Sequence, residues 1–434
     1  MPTLADVVEI AEVLGTKAVF PVKDRCIAVR NRHSSCHKCS EACPAGAVYA
    51  EKNKLEFDAA ACMSCGACTT ACPVEALVPL LPDDETLGRA ARIVVEETGG
   101  VAVFACARIA SKGVGDPAKY AEVPCMARIE ESLLVELASE GVRDIVLVDG
   151  VCKTCKYRSC VPRFDEVVRT ATKLISVQGG QARISRTSEF PDCALVDNKW
   201  ELLSESRRGF FTSMGTRAAD AATETVKYLV GKNPENQVQE KLRDFLQITE
   251  SGSLPQFSPE RRGRLLDSMY AIGEAAAHET AEAIEADEAV SYVADEAAAH
   301  EATETTEAIE PAEAAEPARL ETRLFGSVEI DEDKCRACTM CTVFCPTGAL
   351  TKSTIAPEDG VGSYLEFSAS DCVQCNLCAD ACLNKCLTVH PVVSVDELFD
   401  FEPRLIHLPD KPKNKGIGAA FRTPKPSSRR PVKQ

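Results

Sequence analysis

The chain has 434 residues, a formal net charge of −17 and 23 cysteines. Its length suggests roughly two to four domains, and its acidic balance disfavours nucleic acid, whose phosphates require a basic surface. No apolar run approaches the ~18 residues of a membrane span. The start MPTLADVVEIAEVL lacks the basic and apolar regions of a secretory leader, so reduced cysteines in the cytoplasm are expected.

Residues 1–82 hold a first group of cysteines. Cys26 is followed after nine residues by CHKCSEACP, with Cys36, Cys39 and Cys43, and then by CMSCGACTTACP, with Cys62, Cys65, Cys68 and Cys72. Residues 83–200 read as alternating helix and strand. Helical periodicity covers Glu85–Gly99, an apolar strand follows at Val101–Cys106, and a short strand is expected at Ala121–Cys125. A helix over Ile129–Glu140 ends at Gly141, a natural C-cap, before the strand DIVLVD at Asp144–Asp149 and a helix over Pro162–Val177. The alternation predicts a small parallel sheet.

Residues 201–273 read as a helical segment, with helices near Ser206–Val230, Glu235–Thr249 and Pro259–Tyr270. Residues 274–321 are almost all Ala, Glu, Thr and Asp, which predicts a disordered acidic linker, partly helical at most. Residues 322–395 hold the second group of cysteines, in CRACTMCTVFCP (Cys335, Cys338, Cys341, Cys345) and CVQCNLCADAC (Cys372, Cys375, Cys378, Cys382). Residues 396–434 form a tail, basic and proline-rich from Asp410 on, for which disorder is expected.

The two cysteine-rich segments are internal repeats. CPAGAV at Cys43–Val48 matches CPTGAL at Cys345–Leu350, and LEF occurs in both, five residues before the next cysteine. Both copies resemble bacterial two-cluster ferredoxins, whose C-x2-C-x2-C-x3-C-P run binds iron–sulfur cubanes. The resemblance implies a βαββαβ fold over each copy. In that family the cysteine before proline ligates the other cluster. Four [4Fe–4S] clusters are thereby implied, held by Cys335, Cys338, Cys341 and Cys382; by Cys372, Cys375, Cys378 and Cys345; by Cys62, Cys65, Cys68 and Cys43; and by Cys26, Cys36, Cys39 and Cys72. Two positions depart from the pattern. The insert after Cys26 carries Arg30, Arg32 and His33; either it loops out and Cys26 is a ligand, or the site is a three-iron or open-iron cluster. Cys382 precedes leucine, with Cys386 four residues on, and the spacing favours Cys382. Zinc knuckles also use C-x2-C pairs, but not eight cysteines in this four-plus-four arrangement.

Seven cysteines remain, and Cys106, Cys125, Cys152 and Cys155 fall at or just beyond predicted strand ends. Loops there converge on one sheet edge. VAVFAC, VPCMARIEESLLVELASEGVRDIVLVDG and CKY at Cys155–Tyr157 resemble the delta subunit of methyl-viologen-reducing hydrogenase, which passes electrons to heterodisulfide reductase. The resemblance covers about residues 100–160 and implies a [2Fe–2S] cluster on Cys106, Cys125, Cys152 and Cys155, with Cys160 as a substitute for one of them. It lacks the family's second cysteine after Cys106 and has Lys156 where histidine is usual. Two plainer readings stand beside it: Cys106 as a buried core thiol, and Cys152–Cys155 as a thioredoxin-like C-x-x-C pair. Cys193 reads as structural.

SRRGFF at Ser206–Phe211 lies mid-chain without an apolar region and reads as a helix start. No dinucleotide fingerprint, P-loop or histidine ligand spacing is present. The expected fold is α+β multidomain: two ferredoxin-like modules flanking a small α/β domain. The expected function is single-electron relay between a low-potential donor (hydrogenase, formate dehydrogenase or soluble ferredoxin) and a heterodisulfide-reductase-like flavoprotein or other redox subunit. The middle domain is expected midway along that path, with the second module swinging on its acidic tether. The competing functions are a thiol–disulfide oxidoreductase using Cys152 and Cys155, and a redox-sensing or assembly scaffold.

Overall fold

The computed structural model describes residues 18–51, 53–196, 254–295, 318–358 and 360–410. The expected helices at 206–230 and 235–249, most of the acidic segment beyond 295, and the basic tail from 411 lie outside them.

The first cysteine-rich segment forms two antiparallel pairs. β1 (Val19–Pro21) pairs with β4 (Leu77–Pro79), and β2 (Val48–Glu51) with β3 (Lys54–Phe57). Short helices Lys38–Ala42 and Ala67–Ala71 precede β2 and β4. The second segment repeats this order: β10 (Ser327–Ile330) pairs with β13 (Leu387–His390), β11 (Leu350–Lys352) pairs with β12 (Ser363–Phe367), and the helices are Met340–Phe344 and Leu377–Ala381. It adds β15 (Arg404–Leu408) beside β12, and β9 (Arg319–Glu321) pairs with β14 (Val392–Ser394).

Between them lies a four-stranded parallel sheet in the order β6 (Ala121–Val123), β5 (Val101–Cys106), β7 (Asp144–Val148), β8 (Arg183–Thr187). β5 is buried along nearly its whole length, as its apolar run requires for a central strand covered by helices on both faces. The helices Asp84–Glu97, Glu131–Ser139 and Val161–Val177 lie within one residue or two of the predicted spans. Asp83 caps the first of them, accepting from the Thr86 N–H at 2.7 Å.

The helix expected near Pro259–Tyr270 begins at Glu260 and runs to Asp295, into the acidic segment. Its first turn holds three parts of the molecule together. Glu75 of the first cysteine-rich segment accepts from the backbone N–H groups of Glu260 and Arg261 at 3.0 and 2.8 Å. Arg261 pairs with Asp84 at 2.7 Å and donates to the Thr69 carbonyl at 2.8 Å. Arg262 turns to the second segment and donates to the carbonyls of Ser370, Leu324, Ala369 and Cys372 at 2.7, 2.6, 3.1 and 3.0 Å, stacking over Phe325. Arg264 pairs with Glu130 and Glu136 of the middle domain at 3.1 and 3.2 Å. Lys173 also donates to the Glu321 carbonyl at 2.9 Å, and Arg323 pairs with the buried Glu131. The expectation of a swinging second module is therefore corrected: buried, hydrogen-bonded guanidinium groups dock it. No helix among the described residues is long and apolar enough to cross a membrane.

Candidate metal centres

Four equivalent turns build the cysteine sites. The third residue after Cys43, Cys72, Cys345 and Cys382 has a positive φ in every case: Gly46 (63°), Glu75 (47°), Gly348 (81°) and Lys385 (50°). For Glu and Lys this left-handed conformation is costly. It folds the chain back on the cysteine. Ala47 and Ala76 thus donate their N–H to the Cys43 and Cys72 sulfurs at 3.2 and 3.3 Å. Cys382 keeps this turn although leucine replaces the usual proline.

The C-x2-C-x2-C loops share a second feature. Residues on either side of the middle cysteine are left-handed: Ser64 and Gly66, Ala337 and Thr339, Gln374 and Asn376. The Ser64 and Ala337 N–H groups donate to the Cys62 and Cys335 sulfurs, each at 3.4 Å. Such N–H···S bonds stabilise thiolate ligands and tune a cluster's potential. The Cys26–Cys36–Cys39 stretch lacks this pair of positive φ angles, because its extra residues wind into the turn Ile27–Arg30.

Three of the expected sets each surround a separate space. Cys43, Cys62, Cys65 and Cys68 line a cavity of about 10 Å³; Cys26, Cys36, Cys39 and Cys72 one of about 20 Å³; Cys345, Cys372, Cys375 and Cys378 one of about 20 Å³. Among the described residues no three metal-binding side chains close on one ion-sized point. The thiols of each set instead line one small shared space. Burial raises several thiols, Cys39 and Cys375 among them and Cys72 to about 11, the cost that metal binding offsets by deprotonating its ligands.

The comparisons with known proteins bear on these spaces. A family model described as the 4Fe-4S dicluster domain matches residues 15–76 and 334–386. The chain carries two 4Fe-4S dicluster domains. No curated protein and no solved structure matches it.

The outer set of the second dicluster domain is built differently. Cys335 and Cys341 are partly buried and Cys338 is exposed. Cys386 stands where the other three turns have Ala47, Ala76 and Ala349. Its sulfur lies 3.3 Å from that of Cys382. Burial, Cys382 and Cys335 push the Cys386 thiol up to about 12, while hydrogen bonds from the Cys386 N–H and thiol offset burial and lower Cys382. Cys382 thus holds the same turn position as Cys43, Cys72 and Cys345, with Cys386 beside it.

The middle domain contributes a cavity of about 570 Å³ lined by Cys106, Cys125, Cys152, Cys155 and Cys160, with Asp149, Lys156 and Phe164. It sits at the carboxyl ends of the strands, where the chain passes from β5 to β6 on one side and later to β7 on the other, the usual place for a site in such a sheet. The Cys106 and Cys152 sulfurs each lie 3.6 Å from the Asp149 carbonyl. Burial and the Asp149 carboxylate push the Cys152 thiol up to about 12. Cys193 lies outside the cavity lining.

Cys160 joins this cavity to the first dicluster domain. Its sulfur lies 3.9 Å from that of Cys65. Interaction with Cys125 and Cys65 pushes the Cys160 thiol up, while Cys160 draws Cys65 down to about 7 and lowers Cys125. Tyr157 locks the joint by donating to the Met63 carbonyl at 2.8 Å, and the Thr70 hydroxyl donates to the Ala127 carbonyl at 3.1 Å. Gly66 is required there: at φ 78°, a Cβ would stand 2.7 Å from Arg128 Cδ. Sequence reading placed Cys160 only as a substitute ligand; its contact with a residue 95 positions away had no sequence signal.

Proposed function

We propose that the protein is an iron–sulfur electron-transfer subunit relaying single electrons between a low-potential donor and an oxidoreductase partner. Four [4Fe–4S] clusters would sit on the four cysteine sets. A [2Fe–2S] cluster on Cys106, Cys125, Cys152 and Cys155 would occupy the middle cavity, as the resemblance to the hydrogenase delta subunit implies. Held there, the clusters would supply outer-sphere one-electron exchange at potentials that thiolates, N–H···S bonds and burial would set.

The observation that carries this reading is the contact order of the thiol sets. Cys160 touches the Cys43/Cys62/Cys65/Cys68 set. That set shares a domain with Cys26/Cys36/Cys39/Cys72. Cys26 and Cys39 share an apolar cluster with Val373 and Leu377 of the second dicluster domain, with Cys375 packed against it. The remaining set carries the exposed Cys338. Cys106 of the five-thiol cavity in turn shares an apolar cluster with Cys345, Cys372 and Cys378, so the middle domain adjoins both dicluster domains. Hydrogenase, formate dehydrogenase or ferredoxin as donor, and a heterodisulfide-reductase-like flavoprotein as acceptor, are the partner classes that fit.

The thiol–disulfide alternative requires an attacking thiolate, and the elevated Cys152 thiol runs against it. The test is anaerobic stopped-flow reduction of the whole protein by a low-potential one-electron donor. Rapid, reversible bleaching of the cluster absorption supports relay. Failure to accept electrons, or disulfide reduction abolished by Cys152→Ser at unchanged iron content, rejects it.

A further inference from the structure

Cys26 and Cys36 are nine residues apart where the corresponding cysteines of the other loops are two apart. The structure spends that extra length on an interface with the second dicluster domain. Ser35 donates its backbone N–H to Asp380 Oδ2 at 2.7 Å, and its hydroxyl lies 2.9 and 3.1 Å from the same carboxylate. Lys38 Nζ donates to the Gln374 carbonyl at 3.3 Å. Arg30 Nη1 donates to the Pro255 carbonyl at 2.7 Å. Pro255 belongs to a segment laid along the second domain, where Leu254 and Phe257 donate to the carbonyls of Val343 and Pro346, each at 3.0 Å.

Arg30 has unused bonding capacity. Its Nε and Nη2 are buried without a hydrogen-bond partner among the described residues, an arrangement native interiors avoid unless a further group serves those donors. Burial lowers the Arg30 guanidinium, and Cys345 and Cys375 are the first groups that oppose that shift. Both belong to the second domain, in the set that lines one shared cavity with Pro346.

We propose that Arg30 is a tuning residue supplied by the first dicluster domain to the cluster held by Cys345, Cys372, Cys375 and Cys378 in the second. Its charge and two spare N–H donors favour the more negative, reduced state of that cluster. The insertion after Cys26 is then the device that splices two ferredoxin-like units into one path. It delivers a cation across the joint while Ser35 and Lys38 hold the register. This inference rests on the cluster reading above.

The experiment is reductive titration of the full-length protein, purified anaerobically and followed by electron paramagnetic resonance. The second-domain signal is identified by its change in Cys375→Ser. Arg30→Gln is expected to keep the full iron content and to lower the reduced-to-oxidised ratio of that one cluster about tenfold at fixed potential, the scale of a lost charged hydrogen bond. Arg30→Lys, which keeps charge but loses the planar fork, is expected to fall between, and reads the effect if the glutamine variant assembles poorly. An unchanged second-domain cluster in both variants, or a shift confined to a first-domain cluster, overturns the role of Arg30. Iron absent from the unmodified protein overturns the cluster reading itself, so the two failures are distinct.

Discussion

The sulfur of Cys160, at the start of a middle-domain helix, lies 3.9 Å from the sulfur of Cys65 in the first dicluster domain. Because Cys160 also lines the middle cavity with Cys125, one residue stands between two thiol sets. Cys160→Ala removes the thiol that donates to Cys65. The expected result is unchanged iron content with a lower midpoint potential for the Cys65 cluster. A net hydrogen bond of about 1 kcal/mol corresponds to roughly a fivefold change in the reduced-to-oxidised ratio. Loss of iron would instead make Cys160 a ligand.

Arg262 is the anchor of the second dicluster domain. Its guanidinium is fully buried among the carbonyls of Ser370, Leu324, Ala369 and Cys372 and the Phe325 ring. Arg262→Met leaves those carbonyls without their donor and should cost about 3 kcal/mol. Urea unfolding should show the loss, and limited proteolysis should release the second domain early. A variant as stable and as protease-resistant as the parent would show that docking rests elsewhere.

The sequence made the cysteine sets readable because cluster ligation constrains spacing along the chain. Cys62–Cys72 and Cys335–Cys345 announce their loops, and the repeated LEF places the hairpins. The parallel sheet was also legible, since IVLV within DIVLVD and all of VAVFAC are apolar, as strands covered on both faces must be. The joints were not. Cys160 meets Cys65 across 95 residues, and Ser35 meets Asp380 across 345. Arg261, Arg262 and Arg264 look in sequence like the solvent face of a polar helix, yet they point into three different domains. The acidic composition after residue 274 suggested a free tether because composition carries no information about which side chains precede it and dock.

Asp84 gives a pH signature for the central joint. Burial alone would raise its carboxyl, but Arg261 and Arg128 outweigh burial and hold it well below the usual carboxylate range. A depressed folded pKa contributes stability that is fully present above the unfolded value, about 3.9, and is lost as pH falls toward the folded value. Asp84→Asn should therefore be less stable than the parent by an amount that stays constant between about pH 6 and 8 and narrows only below about pH 4. Denaturant midpoints across that range check it; a gap that closes between pH 8 and 6 contradicts the assignment.

The central claim is that four cysteine sets and the five-thiol cavity hold iron–sulfur clusters in one protein. The most direct measurement is iron and acid-labile sulfide per chain after anaerobic purification, with spin quantitation on full reduction. About eighteen irons with matching sulfide are expected, from four cubanes and one two-iron centre. About sixteen would remove the two-iron centre alone. Zinc in place of iron, or the absence of labile sulfide, would contradict the account.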